Sequence, residues 1–217
     1  MKKLAALILA AALTVGSAAA IIPEEAFPAK NTYPGYADVA EGAWYADAAQ
    51  VCYEVGLITG TDTGFSPDKV LTVGEVAAIA ARMNESITGD PIPMATPAAG
   101  ETLPWYFSYV TYLEKLGIDV PDPEKGATRL ELLTLMGGVV PDDMLSPINT
   151  ITALPDTDDA TVLRFYNAGI LTGVDAWGTF APDKSLTRAE TAALVARVAR
   201  PELRESFTPA DYTLFTA

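Results

Sequence analysis

Two short segments of the 217-residue chain carry residues in an order suited to anion recognition. Leu186-Thr187-Arg188-Ala189-Glu190 and Ala127-Thr128-Arg129-Leu130-Glu131 each place Thr and Glu three residues apart ahead of an apolar run, the signature of a capping box at a helix start. Arg188 and Arg129 then fall at the first helical position. An arginine fork beside free backbone N–H groups and the positive end of a helix dipole suits a planar carboxylate, gripped bidentately. The same arginines could instead pair with a neighbouring Asp. Trp44 and Trp105 offer flat faces for a sugar ring, or, since they begin an apolar stripe, for the core. Asp38 is a candidate ligand contact or a cap for the first helix. Trp177, if exposed, would make a further sugar platform.

Composition removes most other chemistry. There is no histidine, which excludes Ser-His-Asp and Cys-His catalysis and histidine-containing zinc sites. The single cysteine, Cys52, excludes an internal disulfide and a cysteine zinc cage, and its place on an apolar stripe reads as core. No cofactor and no catalytic residue is expected. Asp156-x-Asp158-Asp159 lacks the Gly and distal Glu of an EF-hand loop, and helix capping suits it better than Ca²⁺. The 14 basic and 28 acidic residues give a net charge of −14. That field argues against nucleic acid and against docking to an anionic membrane through a basic patch.

These residues belong to elements written three times. A shift of 61 lays Trp44-Tyr45 on Trp105-Tyr106 and Val55-Gly56 on Leu116-Gly117. The shared apolar offsets of 0, 4, 7, 8 and 11 from the Trp make the stripe of one helix, and the Gly suits a left-handed cap. Residues 56–83 match 169–198 with a two-residue insertion: Gly-x-x-x-Gly, Phe-x-Pro-Asp-Lys and Leu-Thr-x-x-Glu recur, followed by an alanine-rich helix. Each unit therefore reads as helix, Gly-punctuated loop with an apolar Phe65 or Phe180 plug, and second helix. Thr72-Val73-Gly74-Glu75 supplies a third capping box. The small residues of the second helices suit a central bundle. The expected units are 33–88, 101–140 and 150–200, with a Pro/Ala linker at 89–100. A tail at 201–217 follows, whose Tyr212, Leu214 and Phe215 should fold back on the body.

Residues 1–20 read as a secretory signal: Lys2 and Lys3, an apolar run from Leu4 to Val15, and Ala18-Ala19-Ala20 for cleavage after Ala20. Cleavage would leave 12 basic against 28 acidic residues, a charge of −16. No later stretch is long and apolar enough for a membrane span.

The triplicate pattern resembles the S-layer homology family. The residues that carry the resemblance are Tyr36-Ala37-Asp38-Val39, Trp44-Tyr45, Gly56-Leu57-Ile58-Thr59-Gly60, Phe65-Ser66-Pro67-Asp68 and above all Leu186-Thr187-Arg188-Ala189-Glu190, and it covers roughly residues 33–200. The resemblance implies a mostly α fold, a pseudo-threefold spindle of three helix-loop-helix repeats. It implies grooves that bind a secondary cell-wall polysaccharide, usually through a pyruvylated amino sugar, and so anchor an exported protein to the bacterial cell wall or S-layer. Arg188, Arg129, Trp105, Trp44 and Asp38 are the ligand contacts it points to. Val73 and Gly74 depart from the family's Arg and Ala, so the first unit's own anion site is expected to be lost; Leu130 departs in the second unit, and the third lacks the Trp. One or two competent grooves are expected. The competing reading is an envelope structural protein whose degenerate repeats assemble with other surface proteins. A glycosidase has only the abundance of carboxylates behind it.

Overall fold

The computed structural model describes residues 21–210; residues 1–20, read above as a secretory signal, and Tyr212, Leu214 and Phe215 lie outside them. Seven α-helices follow in order among the described residues: α1 (Pro23–Ala26), α2 (Ala46–Glu54), α3 (Val73–Thr88), α4 (Phe107–Lys115), α5 (Arg129–Val139), α6 (Ala160–Asn167) and α7 (Arg188–Ala199). Extended pairing there is limited to isolated bridges, so the fold is mostly α. No described helix is long and apolar enough to cross a membrane. The short α1, with Phe27 fully buried, packs on α7 and α3 and lies ahead of the repeat pattern.

The helix ends follow from the residues at them. Thr72, Thr128 and Thr187 each accept from the N3 amide at 3.2 Å, and Glu75, Glu131 and Glu190 each accept from the cap amide at 2.8–3.0 Å. At the other end of α2, Gly56 adopts φ +77° and allows the chain to reverse. Its N–H donates to Tyr53 and that of Leu57 to Cys52, the paired bonds of a Schellman stop. Phe65 and Phe180 are fully buried plugs, and Cys52 is buried with its Sγ 3.4 Å from the Ala192 carbonyl. Burial pushes that thiol's pKa up, so Cys52 is an inert core residue.

The three units interlock. The two helices of one unit are not each other's main partners: α2 packs chiefly on α7, α4 on α3, and α6 on α5, while α3 also packs on α5. The loops ahead of α3, α5 and α7 pair in a closed ring, through bridges Thr72 to Gly126, Thr128 to Ser185, and Val70 to Thr187. The first two amides of each second helix continue the ring. Val73 and Gly74 donate to the carbonyls of Lys125 and Pro123. Arg129 and Leu130 donate to Lys184 and Pro182, and Arg188 and Ala189 to Lys69 and Pro67, all at 2.8–3.1 Å. The expectation of free N–H groups beside the arginines is therefore corrected. The N1 and N2 amides are taken by the neighbouring unit and the N3 amide by the Thr cap, so an anion there meets side chains.

Candidate functional site

Asp38 does not cap α2, whose preceding residue Tyr45 makes no side-chain cap bond. Its two carboxylate oxygens accept from the amides of Phe65 (2.9 Å) and Ser66 (2.7 Å). Burial opposes its charge, but those two bonds and the nearby Arg188 outweigh it and hold the carboxyl below the usual range. Asp156 does the same in the third unit, accepting from Phe180 (2.8 Å) and Ala181 (2.7 Å). Ser66 and Ala181 are the two non-glycine residues with positive φ among the described residues, 57° and 55°. Each Asp thus braces a left-handed kink that seats the Phe plug and sets the loop edge. Asp159 caps α6 by accepting from Val162 at 3.0 Å, in keeping with capping rather than metal binding.

Arg188 and Trp105 meet in one groove. Its floor is the outer face of α3, with Glu75, Ile79 and Arg82, and its wall is the Thr59-Gly60 loop; the cavity measures about 160 Å³. Arg188 is 4% exposed. Its Nη2 lies 3.2 Å from Glu75 Oε1, which also receives Lys69 Nζ at 2.7 Å. Arg188 Nε is buried with no hydrogen-bond partner. Such a donor is costly in a folded protein and points to an acceptor supplied from outside. Arg82 donates to the Leu57 carbonyl and the Tyr109 hydroxyl, with its guanidinium 5.1 Å from the Tyr109 ring centroid.

Arg129 and Trp44 meet in a second groove, of about 310 Å³, on the outer face of α7. Glu190, Leu194 and Arg197 occupy the places of Glu75, Ile79 and Arg82, and Lys184 pairs with Glu190 at 2.8 Å as Lys69 does with Glu75. The arginines differ in employment. Arg129 Nε donates to the Phe180 carbonyl at 2.6 Å, and its guanidinium sits 5.4 Å from the Phe180 ring centroid. Burial pulls the pKa of Arg129 down from the ordinary arginine value, against the opposing pull of Tyr166 and Glu190. It is a brace as well as a charge, whereas Arg188 has a donor to spare.

Trp44 and Trp105 are 67% and 56% exposed, so they stand outside the core stripe they begin. Each is set edge-on by its neighbour, Tyr45 or Tyr106, leaving a face at the lip of its groove. Trp177 is partly buried and lines neither groove. Each furnished groove draws on all three units, which the sequence reading did not foresee. The groove on α3 takes its Arg from the third unit and its Trp from the second. The groove on α7 takes its Arg from the second and its Trp from the first. The expected loss of the first unit's site is corrected: α3 carries a furnished groove, and the Val73 substitution falls on the groove of α5. Arg82 and Arg197 were passed over although they align in the 56–83 and 169–198 match; their shared place ten residues after the capping Thr was the available signal.

Residues 35–77 match the family model of the S-layer homology domain. The chain is 25% identical over 204 residues to an S-layer protein of Bacillus thuringiensis subsp. finitimus and 26% identical over 204 residues to the S-layer protein sap of Bacillus anthracis. Each match covers 88% of this chain and 24% of the relative. It is 32% identical over 121 residues to an amylopullulanase of Thermoanaerobacterium thermosulfurigenes, a match covering 51% of this chain and 6% of that enzyme. The chain therefore spans about a quarter of the length of the S-layer relatives it matches.

Proposed function

We propose, for a chain that carries an S-layer homology domain, that it is a non-covalent anchoring module that holds to the cell wall outside the cytoplasmic membrane. The Arg188 groove carries the reading. A buried guanidinium with an unpartnered Nε faces a cavity whose lip is an exposed tryptophan. That pairing suits a sugar bearing a carboxylate: the ring lies on Trp105 and the carboxylate accepts from Arg188. The partner of this description is an anionic secondary cell-wall polysaccharide with a pyruvylated sugar. The Arg129 groove, with Trp44, is a second and weaker contact for the same polymer. A strongly acidic chain needs such local cationic sites because its net field repels the polymer. Asp38 acts behind Arg188 as the brace of the loop edge. The module does no chemistry on the polymer, and the amylopullulanase match, at 6% of that enzyme, transfers no activity. Other S-layer or envelope proteins are its neighbours at the surface.

The test is cosedimentation of the folded protein with purified sacculi, before and after hydrofluoric acid stripping of the secondary polymer, with Arg188→Ala alongside. Binding that is lost on stripping and weakened by the substitution is expected. Equal binding to stripped sacculi would transfer the role to peptidoglycan, and absence of binding to either would overturn the anchoring reading.

A further inference from the structure

The third groove, on the outer face of α5, has been rebuilt. Register around the ring puts Glu131, Leu135 and Gly138 where the other grooves have Glu75 and Glu190, Ile79 and Leu194, and Arg82 and Arg197. The first-position arginine is replaced by Val73, fully buried, and the glycine register puts Thr157 in place of the tryptophan. Ile118 has closed over the space that Arg82 and Arg197 fill elsewhere: a Cβ at Gly138 would stand 2.8 Å from its side chain. What remains is a cavity of about 390 Å³ walled by Ile118, Pro121, Leu130 and Leu135.

Its charge is reversed as well. In the other grooves the Oε1 of the capping-box Glu is held by a lysine, Lys69 or Lys184, at 2.7 or 2.8 Å. The corresponding Lys125 turns away to Asp122 at 3.8 Å. Glu131 keeps its Oε2 bond to the Thr128 amide, but among the described residues its Oε1 has no cationic partner, and Asp119 at the rim has none either. Arg164, which reaches α5 at the Gly137 carbonyl, is engaged there and with Asp142. An anionic polymer meets two carboxylates and no cation.

We propose that this groove receives a lysine or arginine side chain from a basic, extended segment of another envelope protein. Charge complementarity and shape both select that occupant: an aliphatic stem covers the apolar walls while a cationic head reaches Glu131 and Asp119. The chain's net charge of −14 draws basic segments toward it. The protein would then hold the wall polymer on two grooves and a protein on the third.

The test is calorimetric titration of the folded protein with an N-acetylated Lys-Leu-Lys-Leu-Lys amide, and with Gln-Leu-Gln-Leu-Gln as the neutral control. Thr134 is exposed on the α5 wall, so Thr134→Arg puts a guanidinium into the groove without disturbing the core. Glu131→Gln with Asp119→Asn removes the charge while Gln keeps the capping bond. Both variants are expected to weaken the basic peptide at least roughly tenfold, the change expected when a charge-assisted contact is removed. They should leave sacculus binding unchanged, and Arg188→Ala should leave the peptide unaffected. Equal affinity for the two peptides, an unchanged affinity in Thr134→Arg, or a loss shared with Arg188→Ala would overturn the proposal. So would a concentration-dependent dimer in sedimentation that Thr134→Arg abolishes, since the occupant would then be a second copy.

Discussion

Replacing Arg188 and Arg129 separately by methionine should give opposite outcomes, because the two guanidiniums are employed differently. Arg188 contributes to the fold one ion pair, with Glu75, and a weaker pull on the Asp38 carboxylate; when it is gone Glu75 retains Lys69 at 2.7 Å and the Thr72 amide at 3.0 Å, and Asp38 retains its two amide bonds. Methionine fills most of the same space, and Glu75, still paired with Lys69 and partly exposed, is not left as the uncompensated buried charge that makes removal of one partner costly. Arg188→Met should change stability by no more than about 1 kcal/mol. Its effect on polymer binding should be large. One charge-assisted hydrogen bond to a carboxylate contributes about 1.5–3 kcal/mol, a roughly ten- to hundredfold loss of affinity at 1.4 kcal/mol per decade.

Arg129→Met should do the reverse. It removes the donor to the Phe180 carbonyl at 2.6 Å and the guanidinium stacked on that ring. The lost partner alone costs about 1–3 kcal/mol. For a chain of this size that is a fall in Tm of roughly 2–12 °C. Thermal unfolding by circular dichroism and cosedimentation with intact sacculi, measured at a temperature where all three proteins are folded, separate the effects. An Arg188→Met protein that binds as the parent does, or an Arg129→Met protein that loses more binding than stability, would refute the assignment of the free donor to the ligand.

Trp105→Ala should leave stability within about 0.5 kcal/mol, because the ring is 56% exposed. Sacculus binding should weaken roughly three- to tenfold, the share of an aromatic face. Ala181→Gly should raise the Tm by roughly 1–4 °C in calorimetry, since a left-handed alanine costs about 1–2 kcal/mol and the flexibility of glycine returns only part of it. Asp38 has a folded-state pKa below its ordinary 3.8, so it binds fewer protons folded than unfolded as the pH falls through that range. Its stabilisation is full above 3.8 and is lost as the pH drops through the depressed value. Urea midpoints should therefore show Asp38→Asn less stable than the parent at pH 7, with the gap closing below pH 3.8; a gap that persists unchanged in acid would refute the carboxylate's role.

The capping boxes, the glycine stops and the Phe plugs were legible because each is fixed by residues a few positions apart. Thr187 and Glu190, or Gly56 and Tyr53, meet through local backbone geometry whatever the rest of the chain does. The placing of the tryptophans stayed open between groove and core for a related reason. Their offset continues the helical stripe, but they precede the helix start by two residues, where helical periodicity no longer dictates facing. The capture of the N1 and N2 amides could not be read at all. Their acceptors are carbonyls of the next unit, and a carbonyl carries no side-chain signature. One trace was present: Pro123-Glu124-Lys125 repeats Pro67-Asp68-Lys69 and Pro182-Asp183-Lys184, so even the shortened middle loop keeps the carbonyl pair that closes the ring.

That closure changes what degeneration of a repeat means. In a linear array a damaged unit loses its own site. Here the first-position residue of one unit serves a groove on another, so Val73 in the first repeat leaves the groove on α3 intact and disarms the one on α5. The same displacement lets the third repeat, which has Thr157 where the others have their groove tryptophan, carry a furnished groove by borrowing Trp44. The losses at Val73, Gly138 and Thr157 lie in three different units yet converge on one groove. Scattered along the sequence they look like independent decay. Placed on the ring they empty one site of cations and leave the other two whole, which is the pattern expected of a module that holds polymer with two grooves and is free to use the third for something else.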